Sequence, residues 1–499
     1  MSESIKENLT KIGITPLILP HEKFHLKTRT VEDRKKIPNP YYPKIKKLKL
    51  ITMITKESLK AGLKFFTKEE RKVIFSRPCI YGVFGGPLGG LAPRREYCTG
   101  CMRCVLEYPN ICTVDRNPEF LKFGDSYWIP KAPSTAYSSP MYVVNYEAKT
   151  GKIPIKGMGY KGAFAGDGWD SMWTDMSEIV RPTRDGVHGR EYISTTIDLG
   201  RKAEFSAKIE QDIAKNSFRI VKIPVPIIFD TMSPLIKEVT VLQSILLASM
   251  QIPTLFIETI DAFSKLKTSC DRRLWVPLLK SKNDFEKLIN LRYTPLMIEI
   301  NPEIETLLPE IREQFNKSIV FYRITKSNNF DDIVENFREK IIDGVHIVSN
   351  YHGIFSKSGK KQFIKNVIYD LHSLLVNNSI REEITIIAGG GITMAEHVPK
   401  AIIMGADAIS IDTSVAVALQ LEFVGEVINR DHDQLKEEKI DISWGKKRLL
   451  NLISSWHSQL IEILSAMGMK DVRRLRGDIG RAMFHYELEQ EAFGDLEWR

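Results

Sequence analysis

The chain has 499 residues, more than one typical domain needs, and its 43% hydrophobic and 27% charged content excludes a disordered protein. The net charge of +9 is uneven: from His21 to Ile80, 17 Lys/Arg stand against 6 Asp/Glu. No helix-turn-helix, zinc-finger or RNA-binding signature accompanies that charge, so nucleic acid is not the expected partner.

In chain order, residues 1–78 form a basic arm broken by Pro38, Pro40 and Pro43, with a helix expected near Lys56–Phe66. Such an arm suits a partner subunit or an acidic, ferredoxin-like redox partner, because opposite fields steer encounter. An oligomer is expected on the same ground. The N-terminus lacks a basic segment leading into an apolar one, and no uncharged apolar run approaches the roughly 20 residues of a membrane span. A cytoplasmic location is therefore expected.

Residues 79–120 are rich in cysteine and glycine. Five of the six cysteines fall between Cys79 and Cys112. In a reducing compartment, clustered cysteines in a long chain read as metal or iron–sulfur ligands rather than disulfides. Cys98, Cys101 and Cys104 are spaced so that each turn can return a thiolate to one centre, which suits a [4Fe–4S] cluster. The fourth ligand stays open between Cys112 and Cys79, since ferredoxin runs place it three residues on and before a proline. Structural zinc is the alternative, although Cys₄ zinc sites usually pair two knuckles.

Residues 121–220 read as a linking segment, with a strand-like piece at Met141–Tyr146. The stretch from Trp169 to Arg190 follows, dense in Asp, Gly, Arg and Trp. Arg181, Arg184, His188 and Arg190 would serve there either as a cover for a site or as an ionic clasp.

Residues 221–430 change rhythm. Short β-branched strands alternate with amphipathic stretches, the pattern of a parallel sheet. Eight strands are expected: Pro226–Met232, Thr254–Thr259, Leu274–Leu279, Leu296–Ile300, Ile319–Ile324, Gly344–Val348, Thr385–Ala388 and Ala408–Ile411. Eight repeats favour an α/β fold, a (β/α)₈ TIM barrel. A doubly wound sheet would want G-x-G-x-x-G after the first strand, and none is present. Residues 431–499 are a helical extension, with Leu452, Trp456, Leu460 and Ile463 on one face and Gly468 as a stop.

In such a barrel, chemistry belongs at the C-terminal strand ends, with phosphate held after strands 7 and 8. Gly389–Gly390–Gly391 and Gly405–Ala406–Asp407–Ala408, leading to Asp412–Thr413–Ser414, fit an anion site built from backbone N–H groups. Arg323, near the end of strand 5, is costly inside a barrel unless it meets an anion. Thr231, Ser233, Glu258, Thr259, Lys280, Glu299, Asn350 and His352 also fall at strand ends. Arg323, Glu299 and His352 are the catalytic candidates, His352 as a proton carrier.

Residues 175–480 resemble the FMN domain of glutamate synthase. The resemblance rests on Pro226–Ser233, on Ile386–Ile392 with Lys400–Ser414, on the tail from Leu460 to Gly477, and on the lead-in Ile193–Gly200. It implies an FMN-dependent oxidoreductase acting on a small molecule. Gly390, Gly391 and Thr413 fall on phosphate positions, Met232 and Ser233 on flavin-contacting ones, and Arg323 where a lysine lies near the flavin. Asp412 departs from a glycine of the family, and its side chain is expected to point away from Thr413 if the strand stays regular. The family's loops after strands 2, 4 and 6, its cluster cysteines after strand 8 and its glutamine-hydrolysing domain are not matched. The N-terminal cysteines are therefore expected to supply electrons in place of that cluster, and the substrate is left open. A non-catalytic or electron-relay subunit, or a flavin-free binding barrel, is the alternative function.

Overall fold

The computed structural model describes residues 14–17, 24–61, 79, 81–85, 92–123, 140–153, 168–175, 192–202, 219–232, 238–266, 272–327, 330–339, 341–357, 359–422 and 438–493. Ser233, Cys270 and most of the arginine-rich 175–190 stretch lie outside them.

Eight parallel strands close into a barrel in sequence order. They are strand 1 (Ile227–Phe229), strand 2 (Phe256–Thr259), strand 3 (Trp275–Leu279), strand 4 (Met297–Ile300), strand 5 (Ile319–Ile324), strand 6 (Gly344–Val348), strand 7 (Thr385–Gly389) and strand 8 (Ala408–Ile411). All eight coincide with the strands expected from the sequence, differing by at most a few residues at their ends. Their continuous apolar character follows from burial on both faces, inside the barrel and beneath the helices. Strands 3, 4, 5, 6 and 7 are buried at every position.

A small sheet of Ile14–Pro16, Arg219–Ile223 and Ile197–Arg201 lies against the N-terminal ends of the strands. Gly200 there meets Thr385, its N–H donating to Thr385 Oγ1 at 3.0 Å. At the opposite end, Lys326–Ser327 after strand 5 pairs with Ile354–Lys357 after strand 6. That strand pairs in turn with Lys360–Phe363, making a three-stranded sheet beside the C-terminal mouth.

The helical extension is a helix from Ile442 to Ala466, capped by the Asp441 carboxylate on Trp444 N–H and followed by Gly468 at φ 69°. It packs on the helices Val239–Gln251 and Pro140–Thr150. Met141–Tyr146 is thus helical rather than a strand. Val144 and Ala148, one turn apart, are buried. Tertiary burial on a helical period overrides the β-propensity of the local residues. Part of the basic arm lies along the same helix: Arg448 pairs with Asp33 at 2.9 Å, and Trp444 donates to the Glu32 carbonyl at 2.8 Å. The segment Lys47–Ala61 is a helix, begun earlier than the sequence suggested. Among the described residues no helix is long and apolar enough to cross a membrane.

Candidate active site at the barrel mouth and a cysteine pocket

The barrel strands bring a closed set of polar side chains to the interior near the C-terminal ends. Arg323 Nη1 donates to Asp230 Oδ1 at 2.9 Å and to Glu299 Oε1 at 3.1 Å, and its Nη2 donates to Asp230 Oδ2 at 3.1 Å. His346 closes the ring, with Nδ1 2.5 Å from Glu299 Oε1 and Nε2 2.8 Å from Ser410 Oγ. Every member is buried. Burial opposes the Arg323 charge, but Asp230 and Glu299 together outweigh it and raise its pKa. Glu299 Oε2 has no hydrogen-bond partner among the described residues. Gly389 makes room for the ring: a Cβ there would sit 2.1 Å from Ser410 Oγ and 3.0 Å from His346 Nε2.

Next to this ring, Glu258 on strand 2 accepts from Thr231 Oγ1 at 2.8 Å, from Thr259 N–H at 2.8 Å and from Met232 N–H at 3.2 Å. Burial raises its pKa against those hydrogen bonds. Of the three catalytic candidates, Arg323 and Glu299 therefore meet, whereas His352 lies apart. Its N–H donates to Asn350 Oδ1 at 3.0 Å, within the turn that leads to the hairpin after strand 6. Asp230 and His346 were missed as ring members. The usable signal was a charged or titratable residue at an inward position of an otherwise apolar strand.

The strand 7 and strand 8 ends lie side by side. Gly390 and Gly391 have φ of 85° and 65°, a conformation that glycine adopts without cost. A Cβ on Gly391 would stand 2.4 Å from Gly353 Cα, and one on Gly390 2.4 Å from the Ser349 carbonyl oxygen. Trp169 covers this turn, donating from Nε1 to the Gly391 carbonyl at 3.1 Å and stacking on His397 with centroids 5.6 Å apart. Lys400 holds the Trp169 carbonyl at 2.8 Å. Trp169 thus packs on the turn after strand 7.

At strand 8 the expected parity fails. The strand ends at Ile411, and Asp412 leaves it to become the N-cap of the short helix Thr413–Ala418. Its carboxylate turns onto Thr413, accepting from the backbone N–H and, at 3.2 Å, from the side-chain hydroxyl. Ser414 Oγ alongside is buried without a partner among the described residues. The Gly405–Asp407 turn lies at the other end of the barrel. There Asp407 accepts from Arg381 at 2.9 Å and Arg476 at 2.8 Å, so that turn is structural rather than part of an anion site.

Away from the barrel, Tyr41–Ile45 pairs antiparallel with Cys112–Arg116. Above this ribbon, Cys79, Cys98, Cys101 and Cys104 line one pocket, with Val83 and Phe84 among its apolar walls. Burial pushes the Cys98 thiol up to about 12. Among the described residues, no three or more His, Cys, Asp or Glu side chains converge on the position of a single metal ion.

Residues 363–470 match the conserved region of glutamate synthase. That stretch of the chain is similar to glutamate synthase. The chain is 22% identical over 443 residues to the archaeal-type glutamate synthase [NADPH] of Dehalococcoides mccartyi, a match covering 77% of this chain and 86% of that one. To the archaeal glutamate synthase [NADPH] of Methanocaldococcus jannaschii it is 31% identical over 180 residues, 33% of this chain and 35% of that one. Among solved structures, the flavin-binding domain of baker's yeast flavocytochrome b2 superposes with a TM-score of 0.40 at 9% identity, covering 70% of this chain and 84% of that one. The matched stretch of this chain contains strands 7 and 8 and the whole of the long helix, and so includes Gly390, Gly391, Thr413 and Ser414.

Proposed function

We propose that this chain is an FMN- and iron–sulfur-dependent oxidoreductase acting on a small organic substrate at the C-terminal mouth of the barrel. One observation carries the reading. The matched stretch contains both strand ends, and at the end of strand 8 the Thr413 donors hold the Asp412 carboxylate beside the Ser414 hydroxyl, which has no partner among the described residues. Donors that hold a carboxylate suit a phosphate, and an orphaned buried hydroxyl there suits a further acceptor oxygen.

In this reading Gly390, Gly391, Thr413 and Ser414 hold the FMN phosphate, with Met232 and Ser233 near the ring system. FMN, when bound, supplies two-electron exchange with the substrate, and an iron–sulfur cluster supplies single electrons. The protein's own part is positional. Asp230 and Glu299 fix Arg323 and compensate its charge, with His346 held on Glu299, so Arg323 orders the floor of the mouth. Glu299 Oε2 is the buried carboxylate oxygen in that floor free to accept a hydrogen bond from a substrate N–H or O–H. Trp169 and the hairpin after strand 6 keep water from the strand 7 turn.

The test is protein purified without oxygen. It should show flavin absorbance, release FMN on denaturation, and oxidise or reduce members of a panel of 2-oxo and amino acids with a one-electron mediator. Protein that neither carries nor takes up FMN refutes the reading. That outcome supports the second reading, a flavin-free binding barrel.

A further inference from the structure

The iron–sulfur reading leaves open which cysteine completes the set, and the pocket answers it. The three cysteines of the run face one space because of two left-handed residues between them, Gly100 at φ 71° and Met102 at φ 58°. A Cβ on Gly100 would lie 2.3 Å from the Tyr41 ring, so the loop is pressed onto the strand beneath it. Met102 then caps the helix Arg103–Glu107, which turns Cys104 back to the pocket. The fourth wall cysteine is Cys79, which arrives from a separate stretch of chain. Cys112 is not in the wall. It is 2% exposed and held in register opposite Ile45.

We propose that Cys79, Cys98, Cys101 and Cys104 ligate one [4Fe–4S] cluster, and that Cys112 is not a ligand. This rests on the iron–sulfur part of the proposed function and extends it. Three arguments support the assignment. A single zinc draws four sulfurs to about 2.3 Å from one point, whereas a cubane gives each thiolate its own iron and leaves the thiolates farther apart. Four cysteines line that one pocket, the number of thiolates a cubane takes. The place where a ferredoxin run carries its own fourth cysteine, three residues on and before a proline, holds Tyr108 followed by Pro109. The run therefore supplies three ligands, and a remote cysteine must supply the fourth. Finally, the wall is closed by Val83 and Phe84, which shield a cluster from solvent. Assembly takes four ferrous or ferric ions and four sulfides and releases one proton from each ligating thiol.

The experiment is anaerobic reconstitution of the full chain with iron and sulfide, followed by iron and sulfide analysis and electron paramagnetic resonance after reduction. Wild type and Cys112→Ala should each hold ~4 iron per chain. Cys79→Ala should lose one iron, giving a three-iron signal, or lose the cluster altogether. Circular dichroism melting of the iron-free variants checks their fold. If Cys79→Ala does not fold, iron retention by Cys112→Ala decides the matter alone. Loss of iron in Cys112→Ala overturns the assignment and leaves the iron–sulfur reading standing. Wild type that binds stoichiometric zinc and no iron overturns both.

Discussion

Replacing Asp412 by asparagine should tighten FMN binding. Asp412 accepts from the N–H and the hydroxyl of Thr413, the latter at 3.2 Å, and those are the donors a phosphate would use. A phosphate oxygen on the same donors would come to about 4 Å from the carboxylate, where two like charges at an effective dielectric near 20 repel by about 4 kcal/mol. Asp412 escapes part of this by rotating away, so the expected gain is about 1.4–3 kcal/mol, roughly ten- to a hundred-fold in Kd. Asparagine keeps the N-cap, so the helix start should survive, whereas glycine costs only a few tenths of a kcal/mol there. The assay is quenching of FMN fluorescence by flavin-free protein at fixed ionic strength. Riboflavin, which has no phosphate, serves as the control and should bind both proteins equally. Unchanged FMN affinity in folded Asp412→Asn and Asp412→Gly, or an equal gain for riboflavin, would refute the argument.

Three further outcomes follow from the same packing. Arg323→Met leaves the Asp230 and Glu299 carboxylates buried and uncompensated, and should cost about 3–5 kcal/mol in urea unfolding. Gly391→Ala sets a Cβ against the Gly353 backbone at a positive φ. It should destabilise the protein by about 1–3 kcal/mol even without flavin, and a neutral effect in thermal melts would show that the turn is not packed as described. His457 contacts Thr195 Oγ1 at 3.1 Å, and burial, with the nearby His25, lowers its pKa to about 4. The unfolded chain binds that proton first, so stability is lost as pH falls from about 6.5 towards the folded value, by about 2 kcal/mol after allowing for part exposure. His457→Gln should flatten the unfolding free energy over that window, and an unchanged slope would assign the effect to other groups.

The sequence alone determined the barrel. Its eight strands are short apolar runs at regular spacing, and burial on both faces leaves few residue types that would serve, so pattern and structure agree. The long helix was legible for a similar reason, since Leu452, Trp456, Leu460 and Ile463 recur on one face and Gly468 ends it. The cysteine run pointed to its chemistry because its spacing is local. Tertiary structure alone decided the rest. Arg323 could be recognised as an expensive inward cation, but its partners come from strands 1 and 4, and only closure of the barrel brings Asp230 and Glu299 to it. Met141–Tyr146 changed from expected strand to helix because its burial partner lies some three hundred residues away. Asp412 was misjudged because alternation holds only inside a strand. One residue past Ile411 the chain turns, and the carboxylate follows the unsatisfied N–H of a helix start rather than the pleat. That Cys79 lines the pocket and Cys112 does not was equally invisible to spacing, since it depends on which thiol reaches the pocket after two left-handed turns and a paired strand have fixed the chain.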